Sequence, residues 1–142
     1  ALPISATHIL NQALRNILSS DIKQKGSNIT SERLRFDFNF DRKLNESEIK
    51  AIEDEVNRVI SLGLPVTRQS MKLEDALKQG AQAEFGSRYP DIVFVYSVGD
   101  YSKEICMGPH VENTSELGHF RIVKEESIAS GRRRIKAVLE YE

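Results

Sequence analysis

The stretch RLRFDFNF, residues 33–40, alternates strictly between polar and apolar side chains. Its even-numbered positions hold a leucine and phenylalanines, and its odd-numbered positions hold arginines, an aspartate and an asparagine. Successive side chains of a β-strand point to opposite faces, so this period of two predicts a strand with one buried and one polar face. It is the clearest strand signal in the chain.

Helical patterns lie on both sides of this strand. Apolar residues recur with helical spacing over residues 5–18, which predicts a first helix. Asn45 and Glu48 resemble a capping pair, and the apolar stripe that follows them predicts a second helix that ends at Gly63. A shorter helix is predicted over residues 72–79.

Further strand signals complete the pattern. Residues 22–30 indicate a short strand and turn, with a break at Gly26 and Ser27. Other extended segments are predicted at residues 65–69, 91–99, 104–106, 118–123 and 132–139. Helices separated by runs of strands predict an α+β fold, with a mostly antiparallel central sheet and packed helices, in a single domain over residues 1–142.

The composition excludes several classes of protein. With 39% hydrophobic and 29% charged residues, the 142-residue chain is typical of a globular domain, and its net charge of −1 excludes attraction of the whole molecule to nucleic acid. The single cysteine cannot form an internal disulfide, and no apolar run approaches the roughly 18 residues of a membrane span. The opening residues ALPISATHIL contain no basic region and no cleavage signal. We therefore expect a soluble, cytoplasmic protein without a membrane partner.

The stretch CMGPH, residues 106–110, contains the only cysteine of the chain and one of its three histidines. The spacing of Cys106 and His110 suits two metal ligands on one loop, and His8 on the first predicted helix is a candidate third ligand. Three protein ligands and an exchangeable water are usual for catalytic zinc. The other interpretation is that Cys106 is a small buried hydrophobic residue, because no second ligand pair has zinc-finger spacing. His119 has no comparable partner and is predicted to be a surface or packing residue.

Other catalytic patterns are missing from the sequence. It contains no serine nucleophile elbow, Walker loop, dinucleotide-binding fingerprint or paired-histidine metalloprotease motif. Metal-assisted hydrolysis is therefore the enzymatic chemistry for which the chain has suitable residues.

Basic residues are concentrated in two regions of the chain. They are Lys23, Lys25, Arg33 and Arg35 in the first region, and Arg132, Arg133, Arg134 and Lys136 in the second. In the last predicted strand, alternation places Arg132, Arg134 and Lys136 on one face. Two interpretations fit this pattern, a solvated basic strand or a row of phosphate contacts.

Five segments in a fixed order extend over nearly the whole chain. They are SATHILNQALR at 5–15, QKGSNITSERLRFDF at 24–38, AEFGSRYPD at 83–91, SVGDYSKEICMGPHV at 97–111 and ELGHFRIVKEESIASGRRRIKAV at 116–138. Together they resemble the editing domain of alanyl-tRNA synthetases, which has relatives in threonyl-tRNA synthetases and in freestanding alanyl-tRNA editing proteins. The resemblance implies an α+β domain that hydrolyses the ester joining a wrong amino acid, chiefly serine and also glycine, to the 3′ end of the alanine tRNA.

The resemblance also implies a metal site. The family has a His-x3-His pair at the start of its first helix and a Cys-x3-His pair on a later loop. His8, Cys106 and His110 match this pattern, whereas Ile4 replaces the first histidine of the pair. The sequence therefore leaves two alternatives, one zinc ion on three protein ligands, or a metal-poor domain that binds RNA without catalysis or only packs. A purely structural zinc ion is a further alternative.

Substrate and tRNA contacts follow from the same resemblance. Gln24 matches a position that borders the editing pocket and is the candidate catalytic-pocket residue, with zinc orienting the substrate or a water at the ester carbonyl. Met107 and Ser115 replace family glycines, which implies either a tighter entrance to the pocket or a shifted backbone. The expected partner is the acceptor 3′ end of tRNA, and the chain is either part of a full-length synthetase or a short freestanding form. The candidate phosphate contacts are Lys23, Lys25, Arg35, Arg132, Arg134 and Lys136.

Overall fold

The computed structural model describes residues 4–30, 32–84 and 87–141, and it confirms the predicted α+β class. In chain order, the elements are α1 (Ser5–Ile17), β1 (Gln24–Ile29), β2 (Leu34–Asn39), α2 (Glu46–Leu62), β3 (Val66–Lys72), α3 (Leu73–Lys78), β4 (Ile92–Val98), β5 (Ser102–Ile105), β6 (His119–Ala129) and β7 (Arg132–Glu140). A turn of 3-10 helix, Thr114–Leu117, precedes β6. In the segment AEFGSRYPD, Phe85 and Gly86 lie outside the described residues. Among the described helices, none combines the length and the apolar character that a membrane span requires.

The strands form two antiparallel sheets. The first sheet has the order β1-β2-β7-β6, and the second has the order β3-β4-β5. The sequence predicts one central sheet, whereas the structure has two. Strands β3 and β5 both pair with β4, and these three strands form a sheet separate from the first. In the first sheet, the β2–β7 register sets Phe36 opposite Ile135 and Asp37 opposite Arg134.

Helices α1 and α2 cover the apolar face of the first sheet. The predicted capping box of α2 is confirmed, because the Asn45 side chain accepts from the Glu48 backbone N–H and the Glu48 carboxylate accepts from the Asn45 backbone N–H. Gly63 ends the helix in the left-handed conformation, with φ of 61°. Fully buried side chains of the core include Ile9, Leu10, Leu14, Phe36, Phe38, Ile52, Val56, Phe120 and Ile135. Each such side chain contributes about 1.5 to 3 kcal/mol of burial free energy.

The start of α1 is attached to the loop that follows β5. The Ile4 backbone N–H donates to the Pro109 carbonyl at 2.9 Å, and the Val111 backbone N–H donates to Ser5 Oγ at 3.1 Å. Helix α1 also packs against β5. This attachment brings the first turn of α1 beside residues 106–111, although about a hundred residues of sequence separate the two.

Candidate functional site

Three side chains converge where α1 meets the loop after β5. One potential ligand atom from each of His8, Cys106 and His110 lies within 4.8 Å of the other two. His8 is 3% exposed, and Cys106 and His110 are half-buried. The structure therefore brings together the three residues that the sequence analysis selects as metal ligands.

Two ring nitrogens in this cluster are buried without a partner among the described residues. They are Nδ1 of His8 and Nε2 of His110. The opposite nitrogens face oxygen atoms: His110 Nδ1 lies 2.8 Å from Ser5 Oγ, and His8 Nε2 lies 3.9 Å from a carboxylate oxygen of Glu104. An unpaired buried polar atom costs about 1 to 3 kcal/mol, a cost that a metal bond would remove. Imidazole nitrogen and thiolate sulfur are common zinc ligands, so the cluster fits that ion.

Burial sets the protonation of the three candidate ligands. It lowers the pKa of His8 to about 3, with a further lowering by His110, and it lowers the pKa of His110 to about 4. Both rings are therefore neutral near pH 7, with a lone pair to offer. Burial raises the pKa of the Cys106 thiol, and Glu104 raises it further. The hydrogen bond that Gly108 N–H donates to Sγ at 3.3 Å lowers this pKa, but the net shift is upward. Metal binding would have to release the thiol proton.

Ile4 occupies the position where the resemblance implies a fourth ligand. Its side chain packs against Gly108, and a Cβ atom added at Gly108 would lie 2.6 Å from Ile4 Cδ1. Hydrocarbon therefore fills the space beside the three candidate ligands and offers no electron pair. The donor set on the protein is two nitrogens and one sulfur.

A cleft of about 370 Å³ opens beside the cluster and is lined by His8, Cys106, Ile4, Gln24 and Glu104. Further lining residues are Thr7, Ser27, Glu84, Ser87, Arg88, Tyr89, Pro90, Ile105, Met107 and Gly108. Met107 is 68% exposed at this cleft.

A β-bulge directs Gln24 into the cleft. The β1–β2 pairing sets Gln24 opposite Phe38 and Ser27 opposite Phe36, with an irregularity between Gln24 and Gly26. Because the bulge shifts the alternation by one residue, Gln24 and Ser27 lie on the same side of the strand, which is the side of the buried phenylalanines. Gln24 Nε2 donates to Ser27 Oγ at 2.9 Å. The predicted break in this segment is thus a bulge within a continuous strand.

Three residues at the site are not predicted from the sequence. Ser5 is fully buried beside His110, and the ring of Tyr96 from β4 stacks on His110 with 3.8 Å between ring centres. Glu104 is 5% exposed, and burial raises its pKa to about 8 against the lowering influence of Asn11 and Arg15. Ser5 and Glu104 stand near predicted ligands in the sequence, but only the tertiary structure shows their contacts.

Arg132, Arg134 and Lys136 of β7 lie on the sheet face opposite the core, since the alternating residues Ile135 and Ala137 are fully buried. Arg133 lies on the other face, opposite Phe38, and pairs with Glu125. Arg134 donates to both carboxylate oxygens of Asp37, at 2.8 and 3.1 Å, and Lys136 lies 3.8 Å from Glu126.

The other candidate phosphate contacts differ in exposure and in whether a carboxylate lies near the basic side chain. Arg132 is exposed and makes no side-chain hydrogen bond or ion pair with the part of the chain that the structure describes. Arg35 lies 3.7 Å from Asp37. Lys23 is exposed, and Lys25 is the extra residue of the β1 bulge.

Two residues of the sequence analysis lie away from the cleft. Ser115 is in the 3-10 turn, where its backbone N–H and its hydroxyl donate to the Asn113 side chain at 2.9 and 2.8 Å. His119 is exposed at the start of β6, which confirms its prediction as a surface residue.

Comparison with known proteins relates the chain to aminoacyl-tRNA synthetases. Residues 93–136, which include Cys106 and His110, match the family described as the threonyl and alanyl tRNA synthetase second additional domain. The chain is 55% identical over 137 residues to the alanine–tRNA ligase of Treponema denticola, covering 96% of this chain and 23% of the ligase. The ligases of Borrelia hermsii and Borreliella afzelii are 54% and 53% identical over 135 residues, with 95% of this chain and 23% of each ligase covered.

These matches identify the chain as an alanyl-tRNA synthetase-related domain. It spans about a quarter of the length of these relatives, 23% in each case.

Proposed function

We propose that this domain hydrolyses mischarged aminoacyl-tRNA, removing serine or glycine from the tRNA for alanine. Its relatives are named alanine–tRNA ligases, which supports a substrate of the alanine tRNA type. The observation that carries the proposal is the convergence of His8, Cys106 and His110 beside a cleft that also presents Gln24. Metal-assisted hydrolysis requires such a donor set next to space for a substrate.

The proposed cofactor is one zinc ion held by His8, Cys106 and His110. When bound, zinc would polarise the ester carbonyl or orient the substrate or a water. Three protein ligands leave a coordination position open, which is typical of catalytic rather than structural zinc. The neutral rings can bind without losing a proton, whereas the Cys106 thiol must lose one, so zinc affinity should rise with pH.

Gln24 is the proposed contact for the amino-acid part of the substrate. A primary amide has two N–H donors and an acceptor oxygen, and one donor is used by Ser27. The remaining donor and the oxygen are available for a hydroxyl or an amino group in the cleft. The contact with Ser27 restrains the amide and so reduces the cost of ordering it on binding.

A second site for alanine tRNA has a physical rationale. Serine differs from alanine by one hydroxyl, and an aminoacylation pocket rejects such a near-isostere by roughly two orders of magnitude at best. A site that hydrogen-bonds the hydroxyl discriminates in the opposite direction, because bound alanine would leave polar groups such as the Gln24 amide unpaired, at about 1 to 3 kcal/mol each. The polar lining of the cleft suits this role.

The proposed partner is the acceptor 3′ end of tRNA. The proposed phosphate contacts are Lys23, Lys25, Arg35, Arg132, Arg134 and Lys136. Arg132 is the strongest candidate, because it is exposed and has no carboxylate partner among the described residues. Arg134 and Arg35 share Asp37, so a phosphate would compete with that carboxylate for them. We further propose that the domain works in the cytoplasm as part of a longer synthetase.

A second candidate is a noncatalytic domain that binds RNA or serves as a scaffold. The observation that favours it is Ile4, whose side chain packs against Gly108 where a fourth ligand is implied. A domain of this kind would bind tRNA without retaining stoichiometric zinc.

Incubation with serine-, glycine- and alanine-charged alanine tRNA tests the proposal, with zinc content measured on the same sample. We expect release of serine and glycine, retention of alanine, and about one zinc per chain in protein purified without chelator. Changing His110→Ala should abolish release, whereas His119→Ala, at an exposed histidine outside the cleft, should not. If the wild type binds tRNA, retains no zinc and releases no amino acid, the noncatalytic candidate is favoured.

A chelator separates a catalytic ion from a structural one. The large apolar core contains none of the three candidate ligands, so it should persist after the ion is removed. We expect hydrolysis to stop while the circular dichroism spectrum is retained. Loss of the folded spectrum on chelation would instead indicate a structural zinc site.

A further inference from the structure

Ser5 links the first turn of α1 to a candidate zinc ligand. It is 0% exposed, and its Oγ lies 2.8 Å from Nδ1 of His110 and accepts a hydrogen bond from the Val111 backbone N–H at 3.1 Å. Serine near a helix start commonly caps the helix, but α1 has no side-chain cap hydrogen bond and Ile4 is its N-cap. The hydroxyl of Ser5 is therefore directed at the loop, not at its own helix.

A hydroxyl can pair with either tautomer of His110, and one of the two arrangements leaves Nε2 free to bind a metal. A serine oxygen can accept two hydrogen bonds and donate one. Val111 N–H uses one acceptor position, which leaves the second for an Nδ1–H of His110. In that arrangement the proton resides on Nδ1, and the buried Nε2, which has no partner among the described residues, has its lone pair free.

Tyr96 restrains the same ring from another direction. The Tyr96 and His110 rings are 3.8 Å apart at their centres, with 23° between their planes. Stacking limits tilting of the imidazole, while the Ser5 contact fixes its rotation within the plane. The ring is thus held by α1 and β4 together, before any contribution from a metal.

The short Ser5–His110 distance also resembles a serine nucleophile with its general base. Ser5 is 0% exposed, its oxygen already accepts from Val111, and it is not among the residues that line the cleft in the described structure. A nucleophile must reach its substrate, so this role does not fit.

We infer that Ser5 is a positioning residue, which holds His110 in the Nδ1–H tautomer and aims Nε2 at the metal shared with His8 and Cys106. The inference rests on the zinc site of the proposed function. Partners on the far nitrogen of a ligating histidine typically change metal affinity about 10- to 100-fold. Ser5 is the closest such partner that the structure provides for His110.

The test measures Co²⁺ affinity of the purified chain from the absorption of the thiolate–cobalt bond, with no tRNA present. Ser5→Ala is expected to weaken binding by about tenfold or more. The matched control is Ser102→Ala, because Ser102 is 7% exposed and its hydroxyl is unpaired in the described structure, so this variant should bind within about twofold of wild type. Equal affinities for Ser5→Ala and wild type would overturn the inference.

Nitrogen NMR of the zinc-loaded wild type gives a readout that does not depend on the folding of a variant. We expect His110 to be bound through Nε2 and to carry a slowly exchanging proton on Nδ1. Zinc on Nδ1 of His110, or a rapidly exchanging proton there, would contradict a positioning role for Ser5.

These measurements also separate this inference from the function on which it rests. If the wild type binds Co²⁺ and Ser5→Ala binds it equally well, Ser5 has no positioning role. The hydrolase proposal then still stands. A wild type that binds neither Co²⁺ nor zinc removes both the metal component of the proposed function and the inference. Weakened binding in Ser5→Ala supports the inference even where no aminoacyl ester is hydrolysed.

Discussion

Replacing Glu104 by glutamine is expected to remove a pH-dependent loss of stability in the metal-free protein. Glu104 is 5% exposed, one of its carboxylate oxygens has no partner among the described residues, and burial raises its pKa to about 8 from an ordinary value of 4.5. The folded protein therefore keeps this proton over a pH range in which the unfolded chain releases it.

The direction of the effect follows from proton linkage. Between its unfolded and folded pKa values, the folded state binds more protons, so the free energy of unfolding falls as pH rises. The contribution of Glu104 is complete below its unfolded pKa and is lost as pH rises through its folded pKa of about 8. His8 acts in the opposite direction, because its folded pKa of about 3 makes stability rise with pH up to its ordinary value of 6.5. Above that pH the Glu104 effect is no longer opposed by His8.

The magnitude can be worked from the Glu104 pKa. Between about pH 6.5 and about pH 8.5, the two-state linkage relation gives a loss of about 2 kcal/mol for a carboxyl that moves from 4.5 to about 8. A small domain has about 5 to 15 kcal/mol of stability in total, so this loss is readily measured. The variant Glu104→Gln retains a neutral, similarly shaped side chain and should not show it.

Urea unfolding, followed by circular dichroism with a chelator present, measures the effect at both pH values. The matched control is Glu74→Gln, which makes the same substitution at an exposed position on α3 and should keep the wild-type pH dependence. If Glu104→Gln loses the same stability as wild type between the two pH values, Glu104 is not the group that titrates and the reasoning fails.

Three further perturbations test other parts of the molecule. Ile4→His adds a fourth donor and is expected to raise zinc retained after dialysis; an unchanged zinc content would show that the side chain cannot reach the ion. Arg132→Ala should weaken tRNA binding and reduce the slope of log affinity against log salt by about 0.7 to 0.9, and an unaltered slope would remove this residue from the interface. Gly118→Ala should lower stability by about 2 kcal/mol or more, because a Cβ there would lie 2.5 Å from the Glu140 carbonyl oxygen and φ is 73°. Gly131→Ala is its control, since φ is 70° but nothing lies within 4 Å, and equal thermal shifts for the two would rule out the clash.

The fold could be predicted wherever local pattern decides structure. The alternation around Phe36 sets which side chains of β2 are buried, and the Asn45 capping box with Gly63 sets the ends of α2. Local pattern does not determine which strands pair, so the division into two sheets was not predicted. It also gives no sign that Asp37, on the polar face of β2, is only 6% exposed, because its cover comes from Arg134 on β7.

Only those residues of the candidate site that are recognisable by their type could be predicted from the sequence. His8, Cys106 and His110 are residue types that bind zinc. The spacing of Cys106 and His110 and the usual count of three ligands grouped them as candidates, and the resemblance implies the same set. Ser5 and Glu104 are common polar residues whose importance depends on partners far away in the chain, so no spacing rule selects them.

The attachment of α1 to the loop after β5 has a consequence for how this domain can change in evolution. Backbone and serine hydrogen bonds at Ile4, Ser5 and Val111 hold the two ligand-bearing segments together without using a ligand side chain of His8 or Cys106. A substitution at His8 or Cys106 therefore leaves these hydrogen bonds in place. Isoleucine at position 4 is compatible with this attachment, because the residue contributes its backbone N–H to the Pro109 carbonyl and not its side chain.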